Sequence, residues 1–155
     1  MKISASVYSH TDEEIDETVN NLEQIGVDYF HVDCNDNPAV FTEIALMRKH
    51  SAKPIDLHLI TSRPENYWAF IEEHKPEFVC FQFEALPKDF SFKTIEGVSM
   101  GLAIKTETPI SAFEPFKNHC DFILLMATTP GKSGGTFDPE NFRKIRSFMR
   151  KYPKK

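Results

Sequence analysis

The chain has 155 residues, 41% of them hydrophobic and 26% charged, with a formal net charge of -5. That length and balance predict one globular domain with a real core, here taken as residues 1–155, and exclude a disordered chain. The acidic balance argues against nucleic-acid binding, because Lys and Arg concentrate only between Arg143 and Lys155, where a solvated helix face accounts for them.

Cys34, Cys80 and Cys120 show no paired spacing, so a disulfide framework is not expected and a reducing, cytoplasmic setting is. Met1 to Val7 is too short and too polar for a signal peptide. No apolar run reaches the length of a membrane span, and no membrane partner is expected.

In chain order, the first apolar run, Ile3 to Val7, reads as a strand. A helix over Asp12 to Ile25 follows, with Ile15, Val19, Leu22 and Ile25 on its inner face, Thr11 or Asp12 as cap and Gly26 as stop. The second strand, Asp28 to Val32, leads to a helix from Pro38 to Lys49 built on Val40, Ile44 and Met47. The third strand, Ile55 to Ile60, precedes a helix opened by Pro64 that runs to about His74. After the fourth strand, Phe78 to Phe83, the interval to Val98 is short and Phe90-Ser91-Phe92 is not helical in pattern, so a stunted connection is expected. Strands over Val98 to Ile104 and Phe122 to Met126 flank a short helical segment, Pro109 to Lys117. Pro139 opens the last helix, with Phe142, Ile145 and Phe148 or Met149 facing inward.

Strands recurring roughly every two dozen residues with helices between them are βα units, and such crossovers make the strands parallel. Two architectures fit: a doubly wound sheet or part of an eight-fold barrel. Polar residues stand at the C-terminal ends of several strands: Ser6, His31 with Asp33, His58, Glu84, Lys105, and Thr128 with Thr129. That distribution is the habit of a barrel, and the glycine-free first turn, Tyr8-Ser9-His10, argues against a doubly wound sheet.

The strongest chemical signal is His31-Val32-Asp33, answered by His58 on the next strand. Residues two apart on a strand share a face, so parallel neighbours bring His31, Asp33 and His58 together. Two imidazoles and a carboxylate suit a divalent transition metal, and a cation removes the cost of an unpaired buried carboxylate. A lone buried histidine is more often satisfied by a core carbonyl, but the companions weaken that reading here. Asp36 is placed to hydrogen-bond a ligand histidine or to cap the helix after Pro38, and Asp56 is read as a structural pairing deeper along the strand.

Gly131-Lys132-Ser133 invites a nucleotide-loop reading, which fails because residue 126, five before Gly131, is Met rather than Gly. What remains is a Gly-rich loop able to offer backbone N–H groups to an anionic substrate, or an ordinary surface loop.

Taken in register, Ile3-Ser4-Ala5-Ser6, His31 to Asp36, Asp56-Leu57-His58-Leu59, Phe83-Glu84-Ala85, Gly101 to Ile104 and Leu124-Leu125-Met126 followed by Pro130-Gly131 resemble the ribulose-phosphate 3-epimerase family. The resemblance covers essentially the whole chain. It implies a (β/α)8 TIM-barrel fold, with these residues supplying six of the βα units. It also implies a metal-dependent isomerase that interconverts D-ribulose 5-phosphate and D-xylulose 5-phosphate through proton transfer at C3.

Carried over by residue, His31, Asp33 and His58 are expected as ligands of one divalent ion (zinc, iron, manganese or cobalt). Asp33 is expected as acid/base, and Ser6, His58, Met126, Gly131, Lys132, Ser133 and Gly134 as substrate contacts. The partner is then a small sugar phosphate, with self-association open through the sheet edges.

The family's second catalytic carboxylate stands on a seventh strand, and its phosphate site follows strands seven and eight. These residues are therefore read as the N-terminal part of a longer barrel. The family usually has methionines at the positions of Asn35 and Ile60, histidine at Gln82, asparagine at Lys105, and phenylalanine-glycine at Lys132-Ser133. A ketohexose 6-phosphate epimerase and a non-catalytic sugar-phosphate or metal-binding relative remain as alternatives.

Overall fold

A computed structural model of the chain describes residues 1–8, 14–128 and 136–155. Six strands form one sheet: β1 (Ser4–Ser6), β2 (Tyr29–Cys34), β3 (Ile55–Leu59), β4 (Phe78–Gln82), β5 (Ser99–Ile104) and β6 (Phe122–Leu125). They lie in sequence order and every pair is parallel. The helices are α1 (Ile15–Ile25), α2 (Val40–His50), α3 (Trp68–His74) and α4 (Glu140–Lys151). Consecutive parallel strands joined by crossovers of one hand curl the sheet into the arc of a (β/α) barrel, made here of six βα units. Among the described residues no helix is long and apolar enough to cross a membrane.

Alternation along the strands decides which face carries what. Phe30, Val32 and Cys34 of β2, Ile55, Leu57 and Leu59 of β3, and Val79 and Phe81 of β4 are buried beneath the helices. Val19 of α1 and Val40, Phe41, Ile44 and Met47 of α2 complete that layer. Each such side chain removed from water contributes about 1.5–3 kcal/mol. The opposite face, toward the inside of the arc, carries Ser4, Ser6, Tyr29, His31, Asp33, Asp56, His58 and Gln82 in laddered register. Apolar packing is thus outside the arc and polar chemistry inside it. On β5 the inner face has to be small: a Cβ on Gly101 would stand 2.5 Å from the Phe122 ring of β6.

The fourth connection contains only a 3₁₀ turn, Phe83–Ala85, as its sequence pattern predicts. Aromatic packing takes the place of a helix. Phe90 stacks on Trp68 at 6.3 Å and meets Phe92 edge-on at 4.8 Å, and both lie against Phe81. The segment Ile110–Phe116 is 3₁₀ rather than α, with Pro115 inside it; proline removes a donor and cannot continue an α-helical ladder.

Gly26 ends α1 with φ +80°, its N–H returning to Leu22 and Glu23, as the sequence implies. The proposed caps Thr11 and Asp12 lie outside the described residues. Two helix faces differ from expectation. Ile25 is 75% exposed, so the buried stripe of α1 stops at Leu22. In α4, Phe142, Ile145 and Met149 face outward, while Asn141 and Phe148 are buried. The inner stripe is set by specific partners: the Phe148 and Tyr152 rings each lie 5.1 Å from Phe113. The Asn141 amide donates to the Thr106 hydroxyl at 2.9 Å, and the Lys144 ammonium donates to the Lys105 and Thr106 carbonyls. Those polar bonds at the end of β5 turn the helix away from the face that hydrophobicity alone would choose.

Candidate metal centre

The two central strands carry mirrored triplets. Toward the end of β2 the inward residues are His31 and Asp33; on β3 they are Asp56 and His58. The ladder pairs His31 with Asp56 and Asp33 with His58, so each imidazole stands beside a carboxylate on the next strand. His31 Nδ1–H donates to Asp56 Oδ2 at 3.0 Å, and the Ser4 hydroxyl donates to the same oxygen at 2.8 Å. His31 Nε2 is thereby turned toward Asp33, 3.4 Å from Oδ1. His58 Nδ1 approaches the same Asp33 oxygen at 3.0 Å.

His58 is fully buried, and its Nε2–H donates to Gln82 Oε1 at 2.8 Å. The Gln82 amide donates in turn to Glu84, which accepts also from the Lys105 N–H at 3.0 Å and from the Thr108 hydroxyl. One continuous hydrogen-bonded path therefore runs along the strand ends from β2 to β5.

Burial alone would raise the Asp33 carboxyl, but hydrogen bonds from His31 and then His58 outweigh it and hold that carboxyl well below the usual carboxylate range. Burial would likewise lower His31. Its bonds to Asp33 and Asp56 reverse this and raise it to about 9. Without a metal, the centre is an imidazolium between carboxylates.

The same geometry suits a metal ion. The donor atoms of His31, Asp33 and His58 all lie within 4.8 Å of one another. Two ligands about 2.1 Å from a common tetrahedral ion stand ~3.4 Å apart, close to the spacings around Asp33. Each histidine keeps its other ring nitrogen on a fixed partner, Asp56 or Gln82, as metal-ligating histidines characteristically do.

The sequence model of the ribulose-phosphate 3 epimerase family matches residues 2–155. The chain belongs to that family. Ribulose-phosphate 3-epimerase of Schizosaccharomyces pombe is 30% identical to it, over 98% of this chain and 72% of the relative. That of Methanocaldococcus jannaschii is 31% identical, over 94% of this chain and 65% of the relative. The cytoplasmic isoform of Oryza sativa is 25% identical, over 98% and 72%. The chain thus spans between about two thirds and three quarters of the length of these epimerases, which are isomerase-class enzymes.

Among the other expected site residues of this epimerase-family chain, Ser6 sits at the end of β1, paired with His31, and its Oγ accepts the Tyr8 N–H at 3.3 Å. Met126 follows β6, four strands along the arc from β2. Gly131, Lys132, Ser133 and Gly134 lie outside the described residues.

Asp36 does neither of the things its position suggests. It adopts φ +55° and accepts from the Thr61 and Tyr67 hydroxyls at 2.7 and 2.9 Å, tying the end of β2 to the loop after β3. Asp56 makes the structural pairing that its place on β3 suggests, accepting from His31 and Ser4. The roles of Gln82 and Glu84 could not be read from their own positions.

Proposed function

We propose that this protein is a divalent-metal-dependent epimerase that interconverts D-ribulose 5-phosphate and D-xylulose 5-phosphate by removing and returning the proton at C3. The observation that carries this reading is the convergence of His31, Asp33 and His58 at the ends of β2 and β3, in a chain of the ribulose-phosphate 3 epimerase family.

When bound, a divalent ion supplies a Lewis acid for the negative charge that develops on the substrate oxygens as the C3 proton leaves. His31 offers Nε2 and His58 offers Nδ1 to that ion, each ring oriented by the partner on its other nitrogen. Asp33 is the acid/base. Its carboxylate is held ionised by its histidine neighbours, the form in which it can accept the C3 proton.

Ser6, next to His31 on the ladder, positions the substrate from β1, and Met126 supplies an apolar wall. The segment Gly131 to Gly134, with Lys132 and Ser133, is assigned to closing over the anionic substrate. Epimerisation also requires a proton donor on the opposite face of the planar intermediate, a role that the family resemblance gives to an Asp on a seventh strand.

The test is exchange at C3 in deuterated water, with ribulose 5-phosphate and added Zn²⁺ or Mn²⁺, followed by NMR. Deuterium is expected at C3 with the wild-type protein, and Asp33→Asn is expected to slow its appearance by about 10²–10⁴-fold. Undiminished exchange by Asp33→Asn removes the assigned base. Metal uptake without any exchange by the wild type replaces the enzyme reading with that of a binding protein.

A further inference from the structure

We infer that Gln82, clamped by Glu84, is the positioning residue that keeps a hydrogen on His58 Nε2 and so makes Nδ1 the ligand atom. This rests on the metal-site reading above.

The available donors decide how the Gln82 amide is turned. Glu84 is an acceptor, and two further donors, the Lys105 N–H and the Thr108 hydroxyl, hold its carboxylate in place. The Gln82 group that meets Glu84 must therefore be its NH₂ end, which turns Oε1 toward His58. An amide oxygen only accepts, so His58 Nε2 must carry hydrogen. Gln82 is 2% exposed and His58 is fully buried, so no solvent competes for these bonds. A hydrogen fixed on Nε2 makes Nδ1, the atom that meets Asp33 at 3.0 Å, the ring nitrogen able to hold an ion.

Without the acceptor at Gln82, the buried Nε2–H would lose its partner. The neutral ring would then place its proton on Nδ1, where Asp33 accepts it. That tautomer blocks the ligand atom and leaves Nε2 facing an apolar wall. Position 82 thus controls the site from outside it, through a bond made 24 residues along the chain from His58.

The experiment compares wild type, Gln82→Met and Gln82→His. Methionine matches the length of glutamine but does not accept a conventional hydrogen bond. A histidine can accept from His58 on one nitrogen and donate to Glu84 from the other. Long-range ¹H–¹⁵N correlation of the His58 ring, in metal-free protein, shows which nitrogen holds hydrogen. Competition titration with Zn²⁺ alone gives the affinity.

Nε2–H is expected in wild type and in Gln82→His, with Zn²⁺ affinities within a few fold of each other. In Gln82→Met the ring hydrogen is expected at Nδ1 only, with affinity lower by about 10–100-fold. An unchanged Nε2–H pattern in Gln82→Met overturns the inference, as does a loss of affinity in Gln82→His equal to that in Gln82→Met. If Gln82→Met does not fold, Gln82→Asn is read in its place, since its amide falls one methylene short of His58. A wild-type protein that takes up no Zn²⁺ counts against the metal-site reading, while the ring spectra still decide the tautomer.

Discussion

The two halves of the arc are built differently. From β1 to β4, apolar side chains of the sheet and of α1, α2 and α3 form one continuous buried layer, and the polar cluster stands on its other face. From β5 to β6 the core is a smaller group: Leu102, Ile104, Phe113, Cys120, Phe148 and Tyr152. Every residue of β6 is half-buried, and α4 exposes Phe142 and Met149. Rigidity is concentrated in the first half. A ligand set must be held to within a fraction of an ångström, and His31, Asp33 and His58 sit on the half whose backbone is pinned by close packing.

Removing one large side chain from each half separates the two most strongly. Phe41→Ala, which removes a buried ring packed on Tyr67 and Phe70, is expected to lower unfolding free energy by about 3–5 kcal/mol. Phe148→Ala should cost less, near 3 kcal/mol, because Phe113 and Tyr152 can close partly over the gap. Equal losses in denaturant titration would show that the halves are packed alike.

A smaller effect separates the halves by pH. His31 is raised in the folded, metal-free protein to about 9. A raised pKa means that the folded state holds the proton more tightly, so this stabilisation is complete below about 6.5 and is lost as pH climbs to 9. In the other half, Glu114 is lowered to about 2 by hydrogen bonds from Lys117, Lys151 and Tyr152. A lowered carboxyl stabilises above its ordinary value of 4.5 and loses that contribution as pH falls toward 2. Stability of the metal-free protein is therefore expected to fall on the alkaline side by on the order of 2 kcal/mol, through the metal centre. On the acid side, the Glu114 contribution falls by a smaller amount that salt screens. His31→Asn should flatten the alkaline limb and also weaken the acid limb, because His31 helps to hold Asp33 ionised, whereas Glu114→Gln should soften the acid limb alone. Loss of the alkaline limb in Glu114→Gln would mean that the halves titrate as one unit.

The strands, their order and the shared face of His31 and Asp33 could be read directly, because hydrophobic runs and period-two alternation are local properties. The stunted fourth connection was readable for the same reason. The inner face of α4 was not. Phe142 and Ile145 have the right spacing, but Asn141 and Lys144 find acceptors at the end of β5, a fact that no window of helical sequence contains. Asp36 shows the same limit, since its partners Thr61 and Tyr67 lie 25 and 31 residues away.

By itself the amino-acid sequence determined the βα rhythm, the burial pattern of each strand and the presence of a His-x-Asp and a His that could share a metal, since each depends on residue type and spacing. Only the tertiary structure decided the pairing of His31 with Asp56 and of Asp33 with His58, because register is a relation between strands. It alone also joined Gln82 and Glu84 to that cluster. Hydrogen bonds between strand ends depend on where the curled sheet brings atoms within 3 Å, and chain order does not encode that distance.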